Sequence, residues 1–410
     1  MRIALAVEGT RGDVYPMFSL GNAFQAAGHE VVFCGPRNFA TFAATNNFEY
    51  REVGSDTREF LGRVATAISS RGLGANRAQF EYFKDSMHKQ FTRLPDATED
   101  ADLILGAGVQ FAGGSVAELH GIPYRYVMFC PVMLPSQEHS PPFIPSQALP
   151  PWANKIAWRM LLGPFDALTR FGLNRARKKY LGLGKIRHGY NHILSEHPIL
   201  ATDPLLAPVP SECSMPVEQL GCIHDHDIEP LPEKLENFLA QGSPPVYVGF
   251  GSMTDATPVA TTRLILQAIE RVGCRAIVSE GWAGLGEGAL PANVIRTGPV
   301  SHASLFPRCA AVVHHGGAGT TTRVAQAGVP QVIVPHLLDQ YWWGKRIMNL
   351  GLAPAPLPRA RLTANRLSEL IASVLDNEFL SHRAREVGKQ IAPDLTPRIA
   401  ADKILSRLPS

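Results

Sequence analysis

Cysteine is scarce and dispersed. Six residues (Cys34, Cys130, Cys213, Cys222, Cys274, Cys309) are spread over 410 positions without a Cys-x-x-Cys pair. That argues against a disulfide framework or a zinc site and for buried thiols in a reducing compartment. No apolar run approaches the length of a membrane span. The net charge is only +3, too small to make nucleic acid the main partner. Met1-Arg2 leads straight into Ile-Ala-Leu-Ala-Val, which is short, lacks a small-residue cleavage site and reads as a strand. No signal peptide is expected, and the expected location is the cytoplasm. Short-period repeats and low-complexity tracts are also missing. What the chain does have is apolar content of 45%, enough for two or three domains with real cores.

The N-terminal half alternates two patterns. "RIALAVEG", "VVFCGP", "DLILGAG" and "PYRYVMF" are short, continuous apolar runs, and helical stretches lie between them, the first expected to start at Pro16 and end at Gly28. A second alternating series starts at "PPVYVGFGSM" and runs through "RAIVSE", "NVIRTGPV", "AAVVHHGG" and "PQVIVP". Such runs predict parallel sheets covered on both faces. Two doubly wound α/β domains follow: residues 1–210, then a linker over 211–243, then 244–380. Sheets of this kind bind ligands beyond the carboxyl ends of their strands. Asp13 follows the first strand of the first domain and Ser252 the first strand of the second, so both are expected at one cleft.

The richest stretch is "VVHHGGAGTTTRVAQAG". A strand meets His315-Gly316-Gly317-Ala318-Gly319-Thr320, and a helix begins. Glycines let backbone approach a ligand, and a helix N-terminus favours an anion. His315 and the threonine hydroxyls add donors. A diphosphate suits this site. It is neither a Walker loop nor Gly-x-Gly-x-x-Gly, because Thr322 stands in place of the last glycine. A Gly-rich turn with a capping threonine is the plain alternative. Asp339-Gln340 follows the next strand. A carboxylate beside an amide can grip vicinal hydroxyls, although Asp before a helix is also a common cap.

From His314 to Pro354 the chain resembles the donor-binding segment of family-one, nucleotide-sugar-dependent glycosyltransferases with the GT-B fold. "GTRGDVYP", "GFGSM", "SEGWAGL" and "TGPVSHASLFP" match the branch containing glycopeptide-antibiotic and sterol glucosyltransferases. The resemblance spans nearly the whole chain and is weakest over 55–100 and 131–190. It implies that His315, Gly317, Gly319 and Thr320 contact the diphosphate, joined by Ser252. Asp339 and Gln340 would hold the sugar hydroxyls, and Trp282 and Val300 would flank the nucleoside, with Pro299 and His302 near that loop. It places Asp13 as general base, with Thr10 and Arg11 orienting phosphate or acceptor. It further implies that helices in 381–410 pack back on the first domain.

The chemistry then expected is in-line displacement at the anomeric carbon with inversion. No metal and no cofactor are expected. The Asp-x-Asp spelling at 224–227 lies in the linker and reads as a solvated turn. Residues 131–151 hold seven prolines. With Met133, Phe143, Ile144 and Trp152, and with Phe83 and Met87, they suggest an apolar wall for a hydrophobic hydroxylated acceptor such as a natural-product aglycone or a sterol. Lys155 to Arg187 carries nine Lys/Arg and one acid, Asp166, and is expected as one or two helices broken at Gly163-Pro164. This face is either simply solvated or a weak contact for an anionic membrane. Two other readings share the architecture: a nucleotide-sugar epimerase, and a transferase acting on a membrane lipid.

Overall fold

The computed structural model describes residues 1–69, 74–142, 144, 147–223, 229–391 and 397–408. Seven strands make the first sheet: β1 (Arg2–Glu8), β2 (Glu30–Gly35), β3 (Glu49–Glu52), β4 (Leu103–Gly108), β5 (Tyr124–Met128), β6 (Ile199–Leu200) and β7 (Glu218–Gln219). Their order is β3-β2-β1-β4-β5-β6-β7, and every pairing is parallel. The second sheet holds β8 (Val246–Gly249), β9 (Ala276–Ser279), β10 (Val294–Thr297), β11 (Ala311–His314) and β12 (Gln331–Ile333). Its order is β10-β9-β8-β11-β12, again parallel throughout. The central strands are buried apart from Arg2 at the start of β1, as their apolar runs require. In both sheets the order reverses beside the first strand, between β1 and β4 and between β8 and β11. That opens a crevice at the carboxyl ends of these strands.

Three details depart from the sequence-based expectations. The first helix, Arg11–Ala26, starts five residues before Pro16. Thr10 caps it and Asp13 bonds back to the cap, and this reciprocal cap sets the start ahead of the proline. The expected break at Gly163-Pro164 does not occur: one helix runs from Pro151 to Ala176. Pro164 and Met160 both lie on the exposed side of the helix, where the one hydrogen bond that the proline removes costs least. The stretch 211–243 is divided rather than a plain linker. β7 extends the first sheet, while Leu231, Leu235 and Leu239 join the core around Tyr247 and Phe306. The Asp-x-Asp spelling lies outside the described residues.

The final helix, Pro397–Ser406, packs on the first helix, and Ala400, Ala401 and Ile404 sit in the same core as Leu5, Val14 and Met17. Among the described residues no helix is long and apolar enough to cross a membrane.

Candidate active site

One cleft of about 2230 Å³ lies between the two sheets. A pocket for one drug-sized ligand typically measures roughly 300–1,000 Å³, so there is room for two ligands. Residues from both domains line it. Thr10, Arg11 and Asp13 stand on the first wall; Ser252, Val300, His315, Gly317, Gly319, Thr320, Asp339 and Gln340 stand on the second. Pro299, His302, Met133, Phe83 and Met87 line it as well.

Asp13 is held by the cap of its own helix. The Thr10 N–H donates to its Oδ2 at 2.8 Å, and the Thr10 hydroxyl approaches the same oxygen at 3.3 Å. Oδ2 therefore closes the helix cap, and neither Thr10 bond engages Oδ1. The carboxyl folds back over Gly9, where any β-carbon would overlap it. Burial pushes its pKa up to about 6, against the pull of the two Thr10 bonds. Burial also raises Asp339, to about 7, with the negative charge of Asp13 adding to the effect. Asp339 thus feels the charge of Asp13 across the cleft.

The second wall is built from the glycine loop. The Gly316 N–H donates to His314 Nδ1 at 3.1 Å, and His314 Nε2 meets Gln331 Oε1 at 2.8 Å. Nδ1 as acceptor leaves Nε2 as the protonated nitrogen, which gives Gln331 its donor. His314 was not singled out from the sequence, yet it ties the loop to β12. His315 is 8% exposed, and burial with the nearby His314 and His336 keeps its imidazole neutral. Among the described residues its Nδ1 has no hydrogen-bond partner. A β-carbon on Gly317 would strike the His315 ring, whereas one on Gly319 would meet open space. Gly317 therefore makes room for the histidine, and Gly319 leaves the mouth of the helix Ala318–Gln326 uncovered.

Asp339 opens the helix Asp339–Asn349 behind Leu338, whose φ of 48° is strained for a leucine. Gln340 is more committed than its sequence position suggests. Its Oε1 accepts from His336 N–H at 2.8 Å and Leu337 N–H at 3.2 Å, and its Nε2 contacts Met253 Sδ at 3.2 Å. Two backbone donors occupy the carbonyl oxygen, so the pairing expected of it narrows to donation from Nε2.

Three expected residues are placed elsewhere. Trp282 does not line the cleft. It lies between the domains, with the Arg11 guanidinium 5.5 Å and the Arg58 guanidinium 5.7 Å from its ring and Phe39 6.3 Å away. Its backbone N–H is held by Gly251 O, which turns the side chain toward the first domain. Ile144 is not among the residues lining the cleft; its N–H donates to Pro141 O and its carbonyl accepts from Gln147 Nε2. Trp152 is 69% exposed at the start of its helix. Phe143 lies outside the described residues.

The cleft also has a buried polar network beneath Phe83 and Met87. Glu8 is buried, and its carboxyl accepts from Ser86 and, at 2.7 Å, from Gln90 Nε2. Gln90 Oε1 in turn accepts from the Phe111 N–H at 2.7 Å. This network bolts the helix Gly74–Ala97, which carries Phe83 and Met87, to the end of β1. No sequence signal marked it, since Glu8 looks like an ordinary strand end.

Two parallel sheets facing across one cleft form the GT-B architecture. The solved glycosyltransferase of kitacinnamycin superposes with a TM-score of 0.72 at 17% identity, covering 100% of this chain and 99% of that one. Glycosyltransferase VinC, solved in complex with DTDP, gives 0.64 at 20% identity and 99% coverage of both. Residues 3–135 match the glycosyltransferase family 28 N-terminal domain, and residues 263–406 match the C-terminal domain of erythromycin biosynthesis protein CIII-like proteins. The vancomycin aglycone glucosyltransferase of Amycolatopsis orientalis is 32% identical, covering 100% of this chain and 99% of that protein. A sterol 3-beta-glucosyltransferase of Arabidopsis thaliana is 33% identical, covering 100% of this chain and 68% of that protein. The chain belongs to the glycosyltransferase family of the glycopeptide-antibiotic and sterol glucosyltransferases, and it is a glycosyltransferase.

Proposed function

We propose that the enzyme transfers a hexosyl or deoxyhexosyl group from a UDP- or TDP-sugar to a hydroxyl of a hydrophobic acceptor, a natural-product aglycone or a sterol. Transfer proceeds with inversion and without a metal ion. The observation carrying this reading is that Asp13 and the glycine loop share one cleft with room for both ligands. The donor diphosphate rests against the Gly317–Thr320 turn, with Ser252 and His315 beside it. The acceptor lies near Phe83, Met87 and Met133.

The acceptor oxygen attacks the anomeric carbon on the face opposite the diphosphate. As the new C–O bond forms, the bond to the phosphate oxygen breaks and its electron pair leaves with the diphosphate. The acceptor proton passes to Asp13 Oδ1. A carboxyl raised to about 6 is a stronger base than a free one and is still ionised at neutral pH. Neutral His315 and the open helix N-terminus stabilise the departing charge. In this reading the backbone and side-chain donors of the glycine loop do the work a metal ion would otherwise do at the diphosphate. The six unpaired cysteines suit a reducing compartment such as the cytoplasm.

The test is a matrix of UDP- and TDP-sugars against hydrophobic hydroxylated acceptors, run with EDTA and read by product mass and anomeric proton coupling. An α-linked donor is expected to give a β-linked product. A product of retained configuration, or activity abolished by EDTA and restored by a divalent ion, would overturn the reading.

A further inference from the structure

The helix Pro151–Ala176 has an unusual outer face. Its inner side buries Asn154, Trp158, Leu173 and Ala176. Its outer side leaves Trp152, Met160, Leu168 and Phe171 at 69, 68, 69 and 69% exposure and Ile156 at 49%. At 3.6 residues per turn, Trp152, Ile156, Met160 and Phe171 fall within an arc of roughly 100°. These are not scattered hydrophobic residues but a continuous stripe, and such stripes mark interaction surfaces.

Exposed Lys155, Arg159 and Arg170 run along one border of the stripe, and exposed Arg175 and Lys179 stand at its end. Asp166, the sole acid from Lys155 to Arg187, is turned away, with its Oδ1 accepting from the Tyr190 N–H at 2.8 Å. The stripe leads into the active-site mouth: Leu168, Phe171, Arg175 and Lys179 line the cleft, as does Phe80 of the neighbouring helix, itself 67% exposed.

An apolar centre with a basic border matches a lipid surface bearing negative headgroups. The long cationic side chains reach the phosphates while their stems and the apolar residues enter the acyl region. A tryptophan at one end suits the interface. A second copy of the chain would instead bring two basic borders together.

We propose that this helix docks the enzyme on an anionic bilayer, with the mouth of the acceptor side facing the lipid. The orientation of the mouth rests on the glycosyl-transfer reading; the docking does not.

Co-sedimentation with vesicles of phosphatidylcholine containing phosphatidylglycerol, and with phosphatidylcholine alone, tests the idea. The enzyme is expected to pellet with the anionic vesicles at low salt and to lose at least tenfold in affinity at high salt. The pair Ile156→Ser, Met160→Ser should abolish pelleting. The pair Lys155→Glu, Arg159→Glu should weaken it severalfold. Neither pair lines the cleft, so both should keep wild-type turnover of a dissolved acceptor, which also shows that they fold. If the wild type stays in solution with anionic vesicles at low salt while still transferring sugar, the docking falls and the transfer reading stands. If it pellets but transfers nothing, the transfer reading falls and the docking stands. A concentration-dependent dimer that the Ile156, Met160 pair converts to monomer would assign the stripe to self-association and overturn the proposal.

Discussion

Asp339 shows how one residue can serve a site at the expense of the fold. In an unfolded chain an aspartate titrates near 3.9; here burial and then the charge of Asp13 raise it to about 7. The folded state holds this proton more tightly than the unfolded one. The resulting stability is complete below about pH 4 and is lost as pH rises through 7. Asn carries no such proton. Asp339→Asn should therefore raise the melting temperature of the ligand-free enzyme by a few degrees at pH 8 and match the wild type at pH 4. Calorimetry at the two pH values checks this; a variant less stable at pH 8 would contradict it. Residues at this scale were legible where strand order alone decides their place. Asp13, Ser252 and Asp339 all follow strands at carboxyl ends, and all three reach the cleft. Gln340 sits at an equally favourable position, but its hydrogen bonds to His336 and Leu337 depend on how the loop folds, which no local pattern encodes.

At the scale of elements, the strands and the glycine loop could be read from the chain because each is a local pattern of apolar runs and turn residues. The orientation of loop side chains could not. Trp282 follows β9 as a nucleoside-flanking residue should, yet it turns to meet Arg11, Arg58 and Phe39 of the other domain. Arg58 comes from the helix Thr57–Ser69, whose Phe60 and Leu61 also join the second domain's core. Nothing within either segment announces a partner more than 200 positions away. Two cation–π contacts of about 0.5–1 kcal/mol each hold the walls together here. Trp282→Ala should accordingly lower kcat/KM by roughly 5–30-fold by depopulating the closed arrangement, with a larger radius of gyration in X-ray scattering. An unchanged radius with a selective loss of nucleotide affinity would return Trp282 to the nucleoside.

At the scale of the whole molecule, the two halves are joined by contacts between residues far apart in the chain. Arg346, on the helix after β12, donates to the carbonyls of Leu206 at 2.6 Å and Leu205 at 3.0 Å. The last helix then returns to the first domain, where Ile404 is fully buried and Arg407 lies 3.0 Å from Glu218 of β7. The resemblance implies that this helix returns to the first domain; its own sequence pattern does not show which core receives it, because that is a matter of long-range packing. Ile404→Ala should destabilise the first domain by about 2–4 kcal/mol, the cost of a large-to-small change in a tight core. Denaturant unfolding followed with a first-domain probe measures it, and a cost below about 0.5 kcal/mol would mean the helix is merely laid on the surface.

The central claim is that Asp13 removes the acceptor proton while the opposite wall holds the diphosphate. The most direct measurement compares wild type with Asp13→Asn in two assays on the same preparation: nucleotide binding by calorimetry, and turnover across pH 5 to 9. Wild-type turnover should fall as pH drops through about 6, where Asp13 takes up its proton. The variant should bind nucleotide with unchanged affinity and lose about 10²–10⁴ in kcat, with no limb near pH 6. A variant within threefold of wild type, still showing that limb, would place the base on another residue.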